Sequence, residues 1–268
     1  MGVDRRDFLK LSAKSAAVLA GASPILAAIQ RAGASSASLD AVAQGKRLAM
    51  IIDVPKCAAG KAAKCVEACH AWHNVPDWRL ADGSVDAKNE VKWIWEEPFS
   101  HVFPAQSHAH APGNVLQQPV LTLCNHCEKP PCVRVCPTQA TFRREQDGIV
   151  GMDMHRCIGC RFCIAACPYG SRSFNWKDPR GAANLRKRIN PNYPTRSKGV
   201  VEKCDFCVER LTHGLEPACV EAAQDDALMF GDLNDPKSKV AQILKKNWTI
   251  RRKPELGTGP QVYYIIQK

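Results

Sequence analysis

Apolar positions fall in short, separated runs along this chain rather than in long periodic blocks. Residues 47–54, Arg-Leu-Ala-Met-Ile-Ile-Asp-Val, form a compact apolar stretch that predicts a buried strand. From 238 to 247, Val240, Ile243 and Leu244 recur at helical spacing and predict a helix docked on the body. The break at Gly257 to Pro260 precedes Val262-Tyr-Tyr-Ile-Ile266, which predicts a terminal strand or arm. Residues 77–118 carry Trp78, Trp93, Trp95, Phe99 and Phe103 among prolines and small residues, the pattern of a long insertion whose aromatics suit a partner contact. Asp178 to Lys203 reads as an irregular basic loop interrupted by Pro179, Pro191 and Pro194. Short strands and helices in irregular order point to an α+β fold.

The N-terminal pattern differs from all of these. Arg5-Arg6 precedes Phe8-Leu9-Lys10, and an alanine-rich run follows from Leu11 to Ile29. Lys14 and the break at Gly21 to Pro24 argue against a membrane-spanning helix, so residues 1–34 are expected to be a twin-arginine export signal. Ala32-Gly33-Ala34 offers a cleavage site, and the mature protein is expected in the periplasm, peripheral on the inner membrane.

With 268 residues and 45% hydrophobic content, the chain can build one or two globular domains. Its formal charge of +11 would ordinarily raise nucleic-acid binding. Residues 1–34 supply three of those charges, through Arg5, Arg6, Lys10, Lys14 and Arg31 against Asp4 and Asp7. No basic helix or aromatic stacking platform accompanies the remainder, so a nucleic-acid partner is not expected.

Fourteen cysteines change the picture, because they are clustered. Cys124-x2-Cys127-x4-Cys132-x3-Cys136-Pro137 is followed by Cys157-x2-Cys160-x2-Cys163-x3-Cys167-Pro168. The second run has the spacing of bacterial ferredoxins, in which the fourth cysteine ligates the neighbouring cluster, so the two runs together form a ligand set for two 4Fe-4S clusters. A zinc ribbon would leave four of these eight thiols unused, and a disulfide scaffold belongs to shorter chains. Two further groups flank the pair: Cys57-x7-Cys65-x3-Cys69-His70 and Cys204-x2-Cys207-x11-Cys219. His101, His108 and His110 lack any haem-attachment or zinc-helix spacing. No nucleotide fingerprint or nucleophile constellation stands out, so the chain is not expected to be an enzyme on its own.

Four cysteine groups, ending in Lys203-Cys204-Asp-Phe-Cys207-x11-Cys219-Val220-Glu221-Ala222, resemble the iron-sulfur electron-transfer subunits of the DMSO reductase, polysulfide reductase and NrfC-type complexes. The likeness covers about residues 46 to 268 and includes Asn190-Pro191, Lys198 to Cys204, and Gly231 to Pro236. Within that family, the twin-arginine leader, Cys65-x3-Cys69-His70, His73-Asn74-Val75-Pro76 and Trp93 to Phe99 are more similar to the iron-sulfur subunits of Dsr membrane complexes. The resemblance implies two ferredoxin-like modules, one inserted in the other: an outer one from 46–76 plus 200–235 and an inner one over 119–180. A C-terminal helix and arm would occupy 236–268. It also implies interleaved ligation. One cluster would take Cys124, Cys127, Cys132 and Cys167, a second Cys157, Cys160, Cys163 and Cys136, and a third Cys204, Cys207, Cys219 and Cys69. The family's fourth cluster loses a ligand in each flanking group, where Gly60 and Ala223 stand in place of cysteines. Three 4Fe-4S clusters are therefore expected, leaving Cys57 and Cys65 for a disulfide, a free pair, or a metal bound with His70 or His73. The implied partners are an NrfD-type integral membrane subunit, a periplasmic multihaem cytochrome and other Dsr complex subunits. Rival readings are an iron-sulfur subunit of a molybdopterin reductase and a zinc-binding protein. Lys56, Arg156, Arg161 and Lys203 are candidates for tuning cluster potential.

Overall fold

A computed structural model describes residues 45–266 except 58, 59, 109, 111 and 112. The expected export signal lies outside the described residues. The predicted first strand, β1 (Leu48–Asp53), is followed by a helical turn at Val54–Cys57 and by helix α1 (Lys61–Trp72). Then come β2 (Ile94–Pro98), β3 (Pro119–Leu123), α2 (Pro131–Arg134), β4 (Thr141–Arg143), β5 (Val150–Met152) and α3 (Phe162–Ala166). The remainder contains β6 (Ser173–Phe174), β7 (Val201–Glu202), α4 (Val208–Thr212), α5 (Ala218–Glu221), β8 (Leu228–Asp232), α6 (Lys239–Lys246) and β9 (Val262–Ile265).

The apolar run of β1 is continuous because the strand is central. It pairs antiparallel with β8, Ile52 opposite Leu228, and parallel with β9, Met50 opposite Val262. Alternate residues then serve two cores. Met50 and Ile52 join the main core with Val262, Tyr264 and Leu228, while Ala49 and Ile51 pack with Met229, Ile265 and Val240 of α6. The segment expected as a terminal strand or arm is a strand of the central sheet. Helix α6 starts at Ser238, whose hydroxyl accepts from the Ala241 N–H at 3.1 Å.

Trp93 is 1% exposed, and Phe99 and Phe103 are also buried, because the β2–β3 pairing folds this insertion into the main core. The aromatic surface of these three is spent inside the protein, while Trp78 and Trp95 stay half-buried. In the basic segment before Cys204, Arg196 is buried and ion-paired with the fully buried Glu202, so this stretch is a structural tie and not a wholly solvated loop. Among the described residues no helix is long and apolar enough to cross a membrane.

Candidate metal centres

Three of the Cys-x2-Cys loops share a local geometry. The residue before the second cysteine is left-handed in each: His126 at φ 42°, Gly159 at φ 70° and Phe206 at φ 57°. That turn brings paired sulfurs round to one side of a short loop. At Gly159 a side chain would run into the Gly199 carbonyl oxygen, so glycine is required there for space as well as for φ.

Thiols from different parts of the chain crowd together, and Cys65 adds its repulsion to Cys219. Burial pushes the Cys127 thiol up to about 12, and Cys124, Cys132 and Cys167 add their repulsion. Cys136, Cys157, Cys160 and Cys163 line one small cavity with Thr138, Met152 and Val201. Burial pushes Cys69 well up, reinforced by Cys219, Cys204 and Cys207, which bridges the two ends of the sequence. The same cause raises Cys204, Cys207 and Cys219. At Cys136 burial is outweighed by the Thr141 N–H at 3.5 Å and by Thr138, which bring the thiol below its ordinary value. The Ala218 N–H donates to the Cys207 sulfur at 3.4 Å. Crowded, buried thiols that oppose one another's ionisation require a multivalent cationic centre to become thiolates together. Soft sulfur donors in fours fit 4Fe-4S clusters.

The groups adjoin one another. Cys204 feels the charge of Cys124, and Cys132 packs with Cys163 in an apolar cluster containing Val150 and Val201. The Cys69 group therefore borders the Cys124 group, which borders the Cys157 group.

Cys57 and Cys65 are buried free thiols. Burial pushes Cys57 up to about 12 and Cys65 to about 11, with Glu96 opposing both charges and Cys65 that of Cys57. His73 does not join them. It lies beside Cys69, its Nδ1 3.6 Å from that sulfur, with its Nε2 3.2 Å from Glu209, and it stacks on Trp93 at 4.3 Å.

Of the expected tuning cations, only Lys203 is buried; its ammonium donates to the carbonyls of Val150 and Cys204, the latter at 2.7 Å. Lys56 pairs with Asp53 at 3.7 Å, Arg156 with Asp153 at 3.2 Å, and exposed Arg161 lies over Trp176. Sequence reasoning missed His126, which is buried, stacked on Phe206 at 3.6 Å, and accepts from the Val150 N–H. It also missed Arg172. The available signal was proximity: both stand within a few residues of a cysteine in these runs.

Clustered sulfurs on left-handed loops fit a 4Fe-4S protein, and a family model described as a 4Fe-4S dicluster domain matches residues 118–183 and 189–233. Over 242 residues the chain is 41% identical to the Hdr-like menaquinol oxidoreductase iron-sulfur subunit 1 of Archaeoglobus fulgidus, covering 85% of this chain and 86% of that protein. It is 36% identical over 242 residues to the menaquinone reductase iron-sulfur cluster-binding subunit of Nitratidesulfovibrio vulgaris, covering 82% and 88%. The NrfC homolog of Haemophilus influenzae is 36% identical over 221 residues, 82% of this chain and 80% of that one. This protein belongs to the family of iron-sulfur subunits of oxidoreductase complexes. It is an electron-transfer subunit, not a catalytic enzyme alone.

Proposed function

We propose that this chain is the DsrO-type iron-sulfur subunit of a Dsr membrane complex, relaying electrons through three 4Fe-4S centres. The observation that supports the reading is the crowding of buried thiols from distant cysteine groups, Cys69 with Cys204, Cys207 and Cys219, and Cys204 with Cys124; three four-sulfur centres would use twelve thiols and leave only Cys57 and Cys65. Cys69, Cys204, Cys207 and Cys219 would hold one end centre. Cys124, Cys127, Cys132 and Cys167 would hold the middle one, and Cys136, Cys157, Cys160 and Cys163 the other end. This ligation is that of two ferredoxin-like modules, the inner one over 119–180 set within an outer one. When bound, each centre takes up and gives back one electron without ligand exchange. The protein's own part is to exclude water from these sulfurs and to aim N–H groups such as those of Thr141 and Ala218 at them.

The menaquinol and menaquinone of the relatives' names support a quinone-linked partner, which the family resemblance makes an NrfD-type membrane subunit. A periplasmic multihaem cytochrome would be the other redox partner, and the twin-arginine leader would carry the chain to that compartment. The test is iron and acid-labile sulfide on the complex purified anaerobically. About twelve irons per chain are expected. Sixteen irons, or none, would overturn the reading, and co-purification with a molybdopterin subunit instead of a membrane quinone subunit would overturn the assignment to a Dsr complex.

A further inference from the structure

Arg172 is 6% exposed, yet no carboxylate lies within ion-pair distance of it among the described residues. Its Nη1 donates to the Thr141 hydroxyl at 3.1 Å and lies 3.7 Å from the Met152 sulfur. Its Nη2 is buried with no hydrogen-bond partner. An unpaired guanidinium in such a place costs several kcal/mol unless something anionic balances it. What surrounds it is sulfur. Met152 packs with Cys132 and Cys163, and the influences that stabilise the Arg172 charge are Cys132, Cys163 and Cys124.

Cys132 belongs to one four-sulfur group and Cys163 to the next. The guanidinium therefore stands at the seam between two groups. We propose that Arg172 is a shared counter-cation for the middle centre and the Cys157-side end centre, setting the reduction potentials of both together. This rests on the three-centre reading above. A fixed positive charge between two centres favours the reduced form of each, because an added electron lowers the charge of the centre it enters. Placed at the boundary, one cation raises two potentials at once and leaves the step between them nearly unchanged. Thr141 orients the guanidinium from one side while its own N–H donates to Cys136, so the positioning shell touches the ligands directly.

The test is an EPR-monitored redox titration of the anaerobically purified complex carrying Arg172→Met or Arg172→Lys. The methionine variant is expected to disfavour one-electron reduction of two centres about tenfold each, or about 59 mV lower for each, and to leave the Cys69-side centre in place. The lysine variant restores most of that shift. The inference is overturned if neither centre moves, if all three move equally, or if lysine behaves as methionine does. A second measurement needs no substitution: with arginine labelled by nitrogen-15, pulsed EPR should detect guanidinium coupling on the spectra of both centres, and coupling on one or none overturns the sharing. A wild-type complex with fewer than three centres sinks the underlying reading instead, whereas three centres with unshifted potentials sink only this one.

Discussion

Arg196→Met should be among the most damaging single changes outside the cysteines. The Arg196 guanidinium donates to the His73 carbonyl, at the end of α1, and to the carboxylate of Glu202 in β7, so it ties together two segments that carry Cys69 and Cys204. Glu202 is wholly buried and is otherwise held by the Trp93 indole N–H at 2.7 Å and the Asn175 amide at 2.5 Å. Removing the arginine leaves a buried carboxylate with two neutral donors and a backbone carbonyl without its partner. Breaking one side of such a pair costs about 3–5 kcal/mol. Replacing both members with neutral groups removes the stranded charge, so Arg196→Met with Glu202→Gln should recover more than half of that loss. Guanidinium unfolding of the anaerobic holoprotein, followed by visible absorbance and by circular dichroism, measures each variant. A loss under about 1 kcal/mol for the single change, or a double variant no better than the single, would refute the reasoning.

Gly159→Ala forces a side chain against the Gly199 carbonyl at a φ that costs about 1–2 kcal/mol by itself. It should drop bound iron from about twelve toward about eight per chain, read by iron analysis. Ser238→Ala removes the cap of α6 and should cost about 1 kcal/mol in unfolding free energy with no change in iron content. Replacing both Cys57 and Cys65 with alanine should leave iron and the EPR spectra unchanged; loss of any centre would show that the pair holds metal. Those two thiols also give a pH signature. Folded, they stay protonated to about 12 and about 11, against 9.0 ordinarily, so stability should fall as pH rises from 9 through 12. The alanine pair should flatten that slope in unfolding titrations, and alkylation of the native pair should stay slow until pH nears 11.

Local pattern carried the strand at β1, the helix at α6 and the strand at β9, since apolar spacing there is dense and bounded by charge or glycine. What pattern could not carry was pairing at a distance. That β9 lies parallel beside β1 depends on some two hundred intervening residues, and nothing local encodes it. The burial of Trp93, Phe99 and Phe103 was hidden for a related reason: tryptophan and phenylalanine among prolines look alike whether they meet another protein or their own sheet. Spacing shows which sulfurs share a loop, whereas the loops that share a centre are a property of the fold. Buried cations were the least legible. Arg172 and Arg196 look like any surface arginine, because nothing in their spacing from Cys163 or Glu202 shows that the fold buries them together.

The pairing of β1 has a consequence for synthesis. An early strand whose two neighbours are both made late has nothing to hold it while most of the polypeptide is still emerging. Cys69, just beyond it, must likewise wait for sulfurs more than a hundred residues downstream, whereas Cys124 to Cys167 are complete within a single span of forty-four residues. With three centres, maturation would have a built-in order, inner sulfurs first and outer ones last, so a released chain ending near residue 190 should be a brown intermediate carrying two of the three.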